Sequence, residues 1–390
     1  MARLFPFFLI LLEFAGNISN DMYMPALPEI ARTLGITNNS AQLTVSIWFL
    51  GGAALLWLVG PLSDRYGRRL MLLAAGGIFC LSSIGCAMAT HIVPLILFRF
   101  VQGMAVSAAM IVGYATLNEV YEDEQATTLM GWMGISAIVA PLIGPLIGGA
   151  VMLIAPWRAI FWILAVLGAL SVGFLARSFP FCAIDTDEHA LEFKRLIEVY
   201  KSILSNKRFT FSTILYALGF SSTMSWIVVS PAILMVKYGY TPMQYALWQI
   251  PVFATFTLGG ILAKTFIRRK TRPWVLRFFL AWALCGSVAL TIFSFTEYPP
   301  LLVGLVSLTL LARGVTFAPM SRIALSIFTV KRGAATAMFY FIVLGTSGLV
   351  TLVYSALPNY FVVLGIALTI LSLVSVIVNR TLAKTDVPQQ

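Results

Sequence analysis

Residues 43–90 read LTVSIWFLGGAALLWLVGPL, then SDRYGRR, then LMLLAAGGIFCLSSIGCAMAT. Two uncharged runs, Leu43–Leu62 and Leu70–Thr90, flank a short turn that carries Asp64, Arg65, Arg68 and Arg69. A helix of about 20 apolar residues spans the hydrocarbon core of a bilayer, so each run is long enough to cross. Lipid offers no hydrogen bonds to the backbone. Long continuous runs therefore fold as helices, whereas a barrel would need short alternating strands.

The same rhythm fills the chain. Of its 390 residues 59% are hydrophobic and 11% charged, with mean hydropathy +0.92, against about a quarter charged in a soluble domain. Twelve spans are predicted, near 5–30, 41–63, 69–90, 93–119, 126–154, 157–177, 209–236, 242–267, 274–296, 300–323, 334–357 and 360–380. The expected fold class is an all-α membrane protein of twelve transmembrane helices in two six-helix, pseudo-symmetric halves. Arg3 ahead of Leu4–Leu12 imitates a signal peptide, but Glu13 interrupts the run and no small-residue cleavage site follows, so the segment reads as a retained first span.

A net charge of +11 in a soluble protein would point to nucleic acid. Here its placement orients helices, because basic residues stay cytoplasmic. With the N-terminus inside, 21 of the 26 basic residues fall in cytoplasmic loops and termini, three (Arg32, Arg158, Lys237) in outer loops, and Arg99 and Arg313 within spans. Both termini are expected in the cytoplasm, with no nucleic-acid partner. Cys80, Cys86 and Cys285 lie in predicted spans and Cys182 in a cytoplasmic segment, so no disulfide framework is implied. His91 and His189 are far apart, and no metal site, phosphate loop or nucleophile elbow is present in the sequence. An enzyme is not expected.

Residues 178–208 break the hydrophobic rhythm, with Asp185, Asp187, Glu188, Glu192 and Glu198 among bases. Within them Phe193, Leu196, Ile197, Tyr200 and Ile203 recur at helical spacing, which predicts an amphipathic helix on the cytoplasmic surface with Asp187 as N-cap. The domains are then an N-terminal half 1–178, a linker 179–208 and a C-terminal half 209–390. The halves echo one another. Gly60 precedes Arg68 and Arg69 at the offsets by which Gly260 precedes Arg268 and Arg269, and Gln102-Gly103 matches Arg313-Gly314. Such a duplication places a site between repeats near the midplane.

Among 15 acidic residues, Glu13 and Asp21 alone fall well inside a predicted span. A charge at mid-bilayer costs roughly 3 kcal/mol on insertion scales, so such residues normally face a cavity and serve a function. They lie about 12 Å apart along the axis at 1.5 Å per residue. Asn17 and Asn20 complete one polar stripe between them. A carboxyl group removed from water favours its protonated form and gives up the proton when a cation arrives, which is the chemistry antiport requires. The bland alternative is a satisfied polar network holding the first helix to its neighbours. For Arg99 the alternative to a fixed charge beside a carboxylate is snorkelling to the outer surface.

Gly60-Pro-Leu-Ser-Asp64-Arg65-Tyr-Gly67-Arg68-Arg69 resembles the loop motif of the major facilitator superfamily. Gly131, then Ala140-Pro141-Leu-Ile-Gly144-Pro145-Leu-Ile-Gly148-Gly149, is similar to the antiporter motif of the drug:proton antiporter families, with Ala140 where glycine is usual. Glu13-Phe14, Asn20-Asp21-Met22, Arg99-Phe-x-Gln102-Gly103, Gly113-Tyr114-Ala115, Glu119, Trp226-Ile227, Ser230-Pro231 and Gln249-x-Pro251-x-Phe253 extend the likeness to multidrug exporters of the MdfA and Bcr/CmlA type. The resemblance covers nearly the whole chain and is looser in the second half. It implies export of small organic molecules by proton antiport across a bacterial inner membrane, by a monomer with no cofactor beyond the proton gradient. Glu13, Asp21 and Arg99 would couple protons. Asn17, Asn20, Tyr114, Asn118, Trp226, Gln249, Phe253 and Arg313 would line the substrate pocket. Asp64, Arg65, Arg68, Arg69 and Glu119 would form a cytoplasmic gate, in which Arg68 or Arg69 pairs with Glu119. Gly131, Gly144, Pro145, Gly148 and Gly149 would let another helix approach and bend the fifth span.

Arg313 departs from that pattern. A second buried cation keeps open a dedicated exporter of an anionic or zwitterionic metabolite such as a siderophore. A non-transporting membrane sensor or scaffold is the reading from another class.

Overall fold

The computed structural model describes residues 4–180, 187, 189–269, 272–328, 332–358 and 360–385. Arg3, Cys182, Asp185 and Glu188, assigned above to cytoplasmic segments, lie outside them, as do the basic residues Lys270 and Lys331. Fifteen helices follow one another: α1 (Phe5–Asp21), α2 (Leu27–Leu34), α3 (Asn38–Ala54), α4 (Leu56–Tyr66), α5 (Arg68–Met88), α6 (Ile92–Val120), α7 (Asp123–Ile154), α8 (Arg158–Ser178), α9 (Phe193–Leu204), α10 (Lys207–Pro231), α11 (Pro242–Arg269), α12 (Arg272–Phe293), α13 (Pro299–Leu325), α14 (Arg332–Tyr354) and α15 (Phe361–Thr385). No strand occurs among the described residues. Their outward faces carry bare apolar side chains such as Leu81, Leu97, Leu349, Ile370 and Ile377, the surface that lipid solvates.

Among the described residues nine helices are long and apolar enough to cross a membrane, or up to eleven if each of two bent pairs is one span. Twelve were expected, and the difference lies in the first. Pro25 and Pro28 cannot continue a helix. The segment read as one span at 5–30 is therefore a 17-residue helix, a 3-10 turn at Met24–Ala26 and the short α2. The second span is likewise not straight, since α3 and α4 meet at 46°. There the indole Nε1 of Trp57 donates to the Ala54 carbonyl at 3.1 Å, and Leu58 N turns to Leu55 O at 2.8 Å.

The chain divides into two compact units, Met1–Tyr200 and Lys201–Gln390. The division falls inside α9, which the sequence reading had placed wholly in the linker. Five helix pairings of the first unit recur in the second: α3·α6 as α11·α13, α5·α6 as α12·α13, α5·α8 as α12·α15, α1·α7 as α10·α14, and α1·α8 as α10·α15.

The glycine contacts fix the register of this repeat. A Cβ on Gly51 would strike the Phe100 carbonyl, and one on Gly103 the Trp48 carbonyl and, at 3.0 Å, the Gly52 nitrogen. In the second unit Gly259 meets the Leu311 carbonyl, and Gly314 the Phe256 carbonyl and, at 3.1 Å, the Gly260 nitrogen. Gln102-Gly103 and Arg313-Gly314 do correspond. Gly260 is the counterpart of Gly52, however, and not of Gly60, whose Cβ position is open. The shared arginine offsets are therefore coincidence. Small residues at these crossings let the helix backbones touch, the principal source of helix association where water offers no hydrophobic drive.

Candidate functional site in the first unit

The end of α1 is the organising feature. Proline 25 stops the helix, leaving its last carbonyls without intrahelical donors. The Ile18 carbonyl is taken by Met22 N at 2.9 Å. The Ser19 carbonyl accepts from Arg99 Nη1 at 3.4 Å, and Arg99 Nη2 donates to Asn20 Oδ1 at 2.9 Å. A guanidinium from α6 thus closes the negative end of a helix, the arrangement the helix dipole favours. Arg99 Nη1 also donates to Gln102 Oε1 at 2.6 Å, and Gln102 Nε2 to Ser83 Oγ at 2.8 Å. The faces of Tyr23 and Trp48 lie 4.6 and 5.7 Å from the guanidinium carbon. Arg99 is 0% exposed, so it does not snorkel to the surface. The Tyr23 ring is itself held by a 2.8 Å bond between its hydroxyl and that of Thr44.

Asp21 follows directly on Asn20. It is buried, and among the described residues it forms no ion pair, since Arg99 is held by neutral oxygens and ring faces. The antiporter-motif glycines of α7 are what admit it. A Cβ on Gly144 would lie 2.6 Å from Asp21 Cβ, and one on Gly148 would strike the Met22 carbonyl and come within 2.9 Å of Pro25. Gly131 was grouped with them but plays no such part, because no neighbour lies within 4 Å of its Cβ position.

Two turns earlier Glu13 is buried. Asn17 Nδ2 bridges it at 3.4 Å to Ser136 Oγ of α7 at 3.2 Å. The expected polar stripe Glu13, Asn17, Asn20, Asp21 therefore exists, and it faces α6 and α7 within the unit. Asn20, read as a pocket residue, spends its carbonyl on Arg99.

The loop motif gathers a second cluster. Gly67 joins α4 to α5 at φ +87°, a conformation that requires glycine. Arg68, the first residue of α5, pairs through Nη2 with Asp64 Oδ1 at 2.6 Å and Glu119 Oε1 at 2.7 Å, and its Nη1 donates to Ser63 Oγ. The ends of α4, α5 and α6 are tied by this one side chain. Arg69 does not take Glu119; its Nη2 donates to the Ala176 carbonyl at 2.9 Å. Arg65 lies over the Tyr66 ring at 5.6 Å.

The linker helix reaches the same motif. Pro61 has no N–H, which leaves the Trp57 carbonyl without its helical donor. Tyr200 of α9 supplies one, its hydroxyl donating to Trp57 O at 2.5 Å. Burial, with the Asp64 carboxylate beside it, pushes the Tyr200 phenol up to about 12. Leu196 and Ile203 are buried with it, while Phe193 and Ile197 of the predicted apolar face stay exposed. Asp187 is not the N-cap of this helix, which starts six residues later. Its Oδ1 accepts from His189 N at 2.9 Å and its Oδ2 pairs with Arg195 at 2.8 Å. The His189 backbone N–H, together with Arg195, holds the Asp187 carboxyl below its ordinary range.

The remaining pocket candidates divide between the units. In the first, Asn118 is exposed and donates to the Tyr114 carbonyl at 2.9 Å. In the second, Trp226 Nε1 donates to Gln249 Oε1 at 2.8 Å, both side chains buried, with Phe253 buried nearby in sequence on α11. Arg313 of α13 is fully buried, its Nη2 on Ser372 Oγ at 2.8 Å and its Nη1 on Ser375 Oγ at 3.4 Å, both on α15. Among the described residues no group of three or more His, Cys, Asp or Glu is placed to hold a metal. Ser83, Ser136, Ser63, Tyr23, Trp48, Ser372 and Ser375 were not singled out from sequence, and Tyr200 was read only as part of an apolar helix face. Serines are common in these helices and carry no signal, but the carbonyl four residues before Pro61 was a readable one.

The sequence profile of the Major Facilitator Superfamily matches residues 9–352. The multidrug transporter MdfA of Yersinia pestis bv. Antiqua (strain Angola) is 32% identical over 341 residues, 86% of this chain and 82% of that protein. The multidrug resistance protein MdtM of Escherichia coli O157:H7 is 32% identical over 269 residues, 69% of this chain and 65% of that protein. Among solved structures, a D-xylose-proton symporter superposes with TM-score 0.76 at 16% identity, over 95% of this chain and 96% of that one.

Proposed function

Because the chain belongs to the major facilitator superfamily, we propose that it is a secondary active transporter exporting small, drug-like organic compounds in exchange for protons. It is a multi-pass membrane carrier of small molecules, not an enzyme. The observation that carries the proton-coupled reading is a pair of buried carboxylates, Glu13 and Asp21, on one membrane helix. The names of its 32% identical relatives support the substrate class.

In this reading Asp21 takes up and releases the proton. Arg99 is the fixed charge one residue away that favours release, because a nearby cation stabilises a carboxylate. Glu13 serves as the second carrier, with Asn17 orienting it. A lipophilic cation arriving near these carboxylates replaces the proton electrostatically. Tyr114 and Asn118 in the first unit and, separately, Trp226, Gln249 and Phe253 in the second are the aromatic and polar side chains of a kind suited to drug-sized ligands. The Arg68 cluster with Asp64 and Glu119 is a cytoplasmic latch, loosened and remade as the halves rock. Gly144, Pro145, Gly148 and Gly149 serve the conformational change. The protein works as a monomer in the bacterial inner membrane with both termini cytoplasmic, and the proton gradient is its only energy source. Arg313, the residue that favoured a carboxylate substrate, is tied to α15 and supports no second reading.

The test is reconstitution in liposomes under a pH gradient, with proton movement followed while lipophilic cations, neutral amphenicols and carboxylate chelators are added. Proton flux dependent on the first two classes supports the proposal. No flux from an oriented, folded sample defeats it.

A further inference from the structure

Among the described residues of its own unit, Arg313 is a guanidinium with no counter-charge. From Lys201 to Gln390 the sequence holds two acidic residues, Glu297 and Asp386. Glu297 is committed to Lys237, at 2.5 Å. Asp386 lies beyond the last residue described. Arg313 is 0% exposed, and no aromatic face lies over it among the described residues, in contrast to Arg99. Burying an unpaired charge is among the costliest arrangements a fold can contain.

The protons show what is missing. Arginine offers five N–H donors and accepts nothing. Its two hydrogen bonds end on Ser372 Oγ at 2.8 Å and Ser375 Oγ at 3.4 Å, and its Nε has no partner. Ser375 spends its own proton on the Leu371 carbonyl at 2.7 Å. Ser287 donates to the Leu284 carbonyl at 2.9 Å and approaches Ser372 Oγ at 3.4 Å. Ser372 Oγ therefore accepts from Arg313 Nη2, and among the described residues its own hydroxyl proton reaches only Ser287 Oγ, at the long distance of 3.4 Å. The cluster is rich in donors, short of acceptors and positively charged.

We propose that Arg313, with Ser372 and Ser287 beside it, forms a binding site for a small monovalent inorganic anion such as chloride, held between the guanidinium Nε–H and the Ser372 hydroxyl. In the first unit the position equivalent to Arg313 is Gln102, a neutral residue whose amide donates to Ser83. The first unit's buried guanidinium, Arg99, differs in lying against the faces of Tyr23 and Trp48 and on the oxygens of Asn20 and Gln102.

The experiment is thermal unfolding of the purified full-length protein in detergent, titrating sodium chloride against sodium gluconate at constant ionic strength. It is paired with equilibrium binding of radioactive chloride. A ligand that binds only the folded state raises the unfolding temperature with its concentration. Wild type is expected to show a saturable, chloride-specific rise and one chloride per chain. Ser372→Ala should need about tenfold more chloride, the loss of one hydrogen bond to a charged partner. Arg313→Gln should show neither shift nor binding. Identical wild-type curves in the two salts would overturn the proposal. So would a chloride response that Arg313→Gln retains, or one that Ser372→Ala leaves unchanged should Arg313→Gln not fold.

Discussion

Adding one methyl group at Gly148 tests how Asp21 is held. In α7 a Cβ at this position would strike the Met22 carbonyl and lie 2.9 Å from both Met22 C and Pro25 Cγ. Two of these three atoms are backbone and the third belongs to a rigid ring, so no flexible side chain can swing away. The end of α1 must shift by roughly an ångström, at about 1–3 kcal/mol for overpacking. Replacing a helix-interior glycine by alanine returns up to about 1 kcal/mol. Gly148→Ala should therefore destabilise by up to about 2 kcal/mol. Gly134→Ala, in the same helix with nothing within 4 Å, should be neutral or stabilising by up to about 1 kcal/mol. The assay is thermal unfolding of the purified variants by tryptophan fluorescence, alongside substrate-driven proton flux in liposomes. Gly148→Ala should unfold earlier and lose proton coupling more than stability explains, because displacing Met22 also displaces Asp21 and the Ser19 and Asn20 oxygens that hold Arg99. Equal behaviour of the two alanine variants would refute the close approach of α7 to α1.

Tyr200→Phe should cost about 1–3 kcal/mol, because the Trp57 carbonyl freed by Pro61 is left without a donor. Urea or thermal unfolding reads this loss, and Pro61→Ala, which restores the helical N–H, should reduce it. Tyr200 also sets a pH dependence. Its folded value of about 12 lies above the ordinary phenol, near 10. Its contribution is therefore full below about pH 10 and fades as pH rises toward the folded value, a loss that Tyr200→Phe should not show in melts at high pH. Arg68→Ala and Glu119→Ala should each loosen the ends of α4, α5 and α6, with a double-mutant coupling near 1 kcal/mol for a partly exposed pair. Arg69→Ala should show no coupling to Glu119 in the same cycle.

The membrane architecture was legible because uninterrupted apolar runs leave the backbone one solution. The breaks inside those runs were less so. The stop at Asp21 follows from Pro25 and Pro28, yet hydropathy alone carried the span on to residue 30. The repeat was visible in Gln102-Gly103 and Arg313-Gly314, where backbone contact demands glycine. It was misread at Gly60 and Gly260, where matching arginine offsets stood in for contacts. Glu13 and Asp21 stood out because acids are rare in such helices. Their partners did not, since the oxygens holding Arg99 come from Ser19, Asn20 and Gln102 on two helices, and sequence spacing reports no distances between helices. Asp187 was a plausible cap by residue type, but it had a nearer use in the turn with His189 and Arg195.

The central claim is that protons and substrate compete for the carboxylates of α1. Its most direct test is proton release on binding. A lipophilic cation such as tetraphenylphosphonium is added to purified protein in weakly buffered detergent solution, and a pH indicator is read. Wild type should release protons in proportion to binding, Glu13→Gln less, and Asp21→Asn little or none while still folded. Binding that releases no protons from wild type, or as many from Asp21→Asn, would contradict the account.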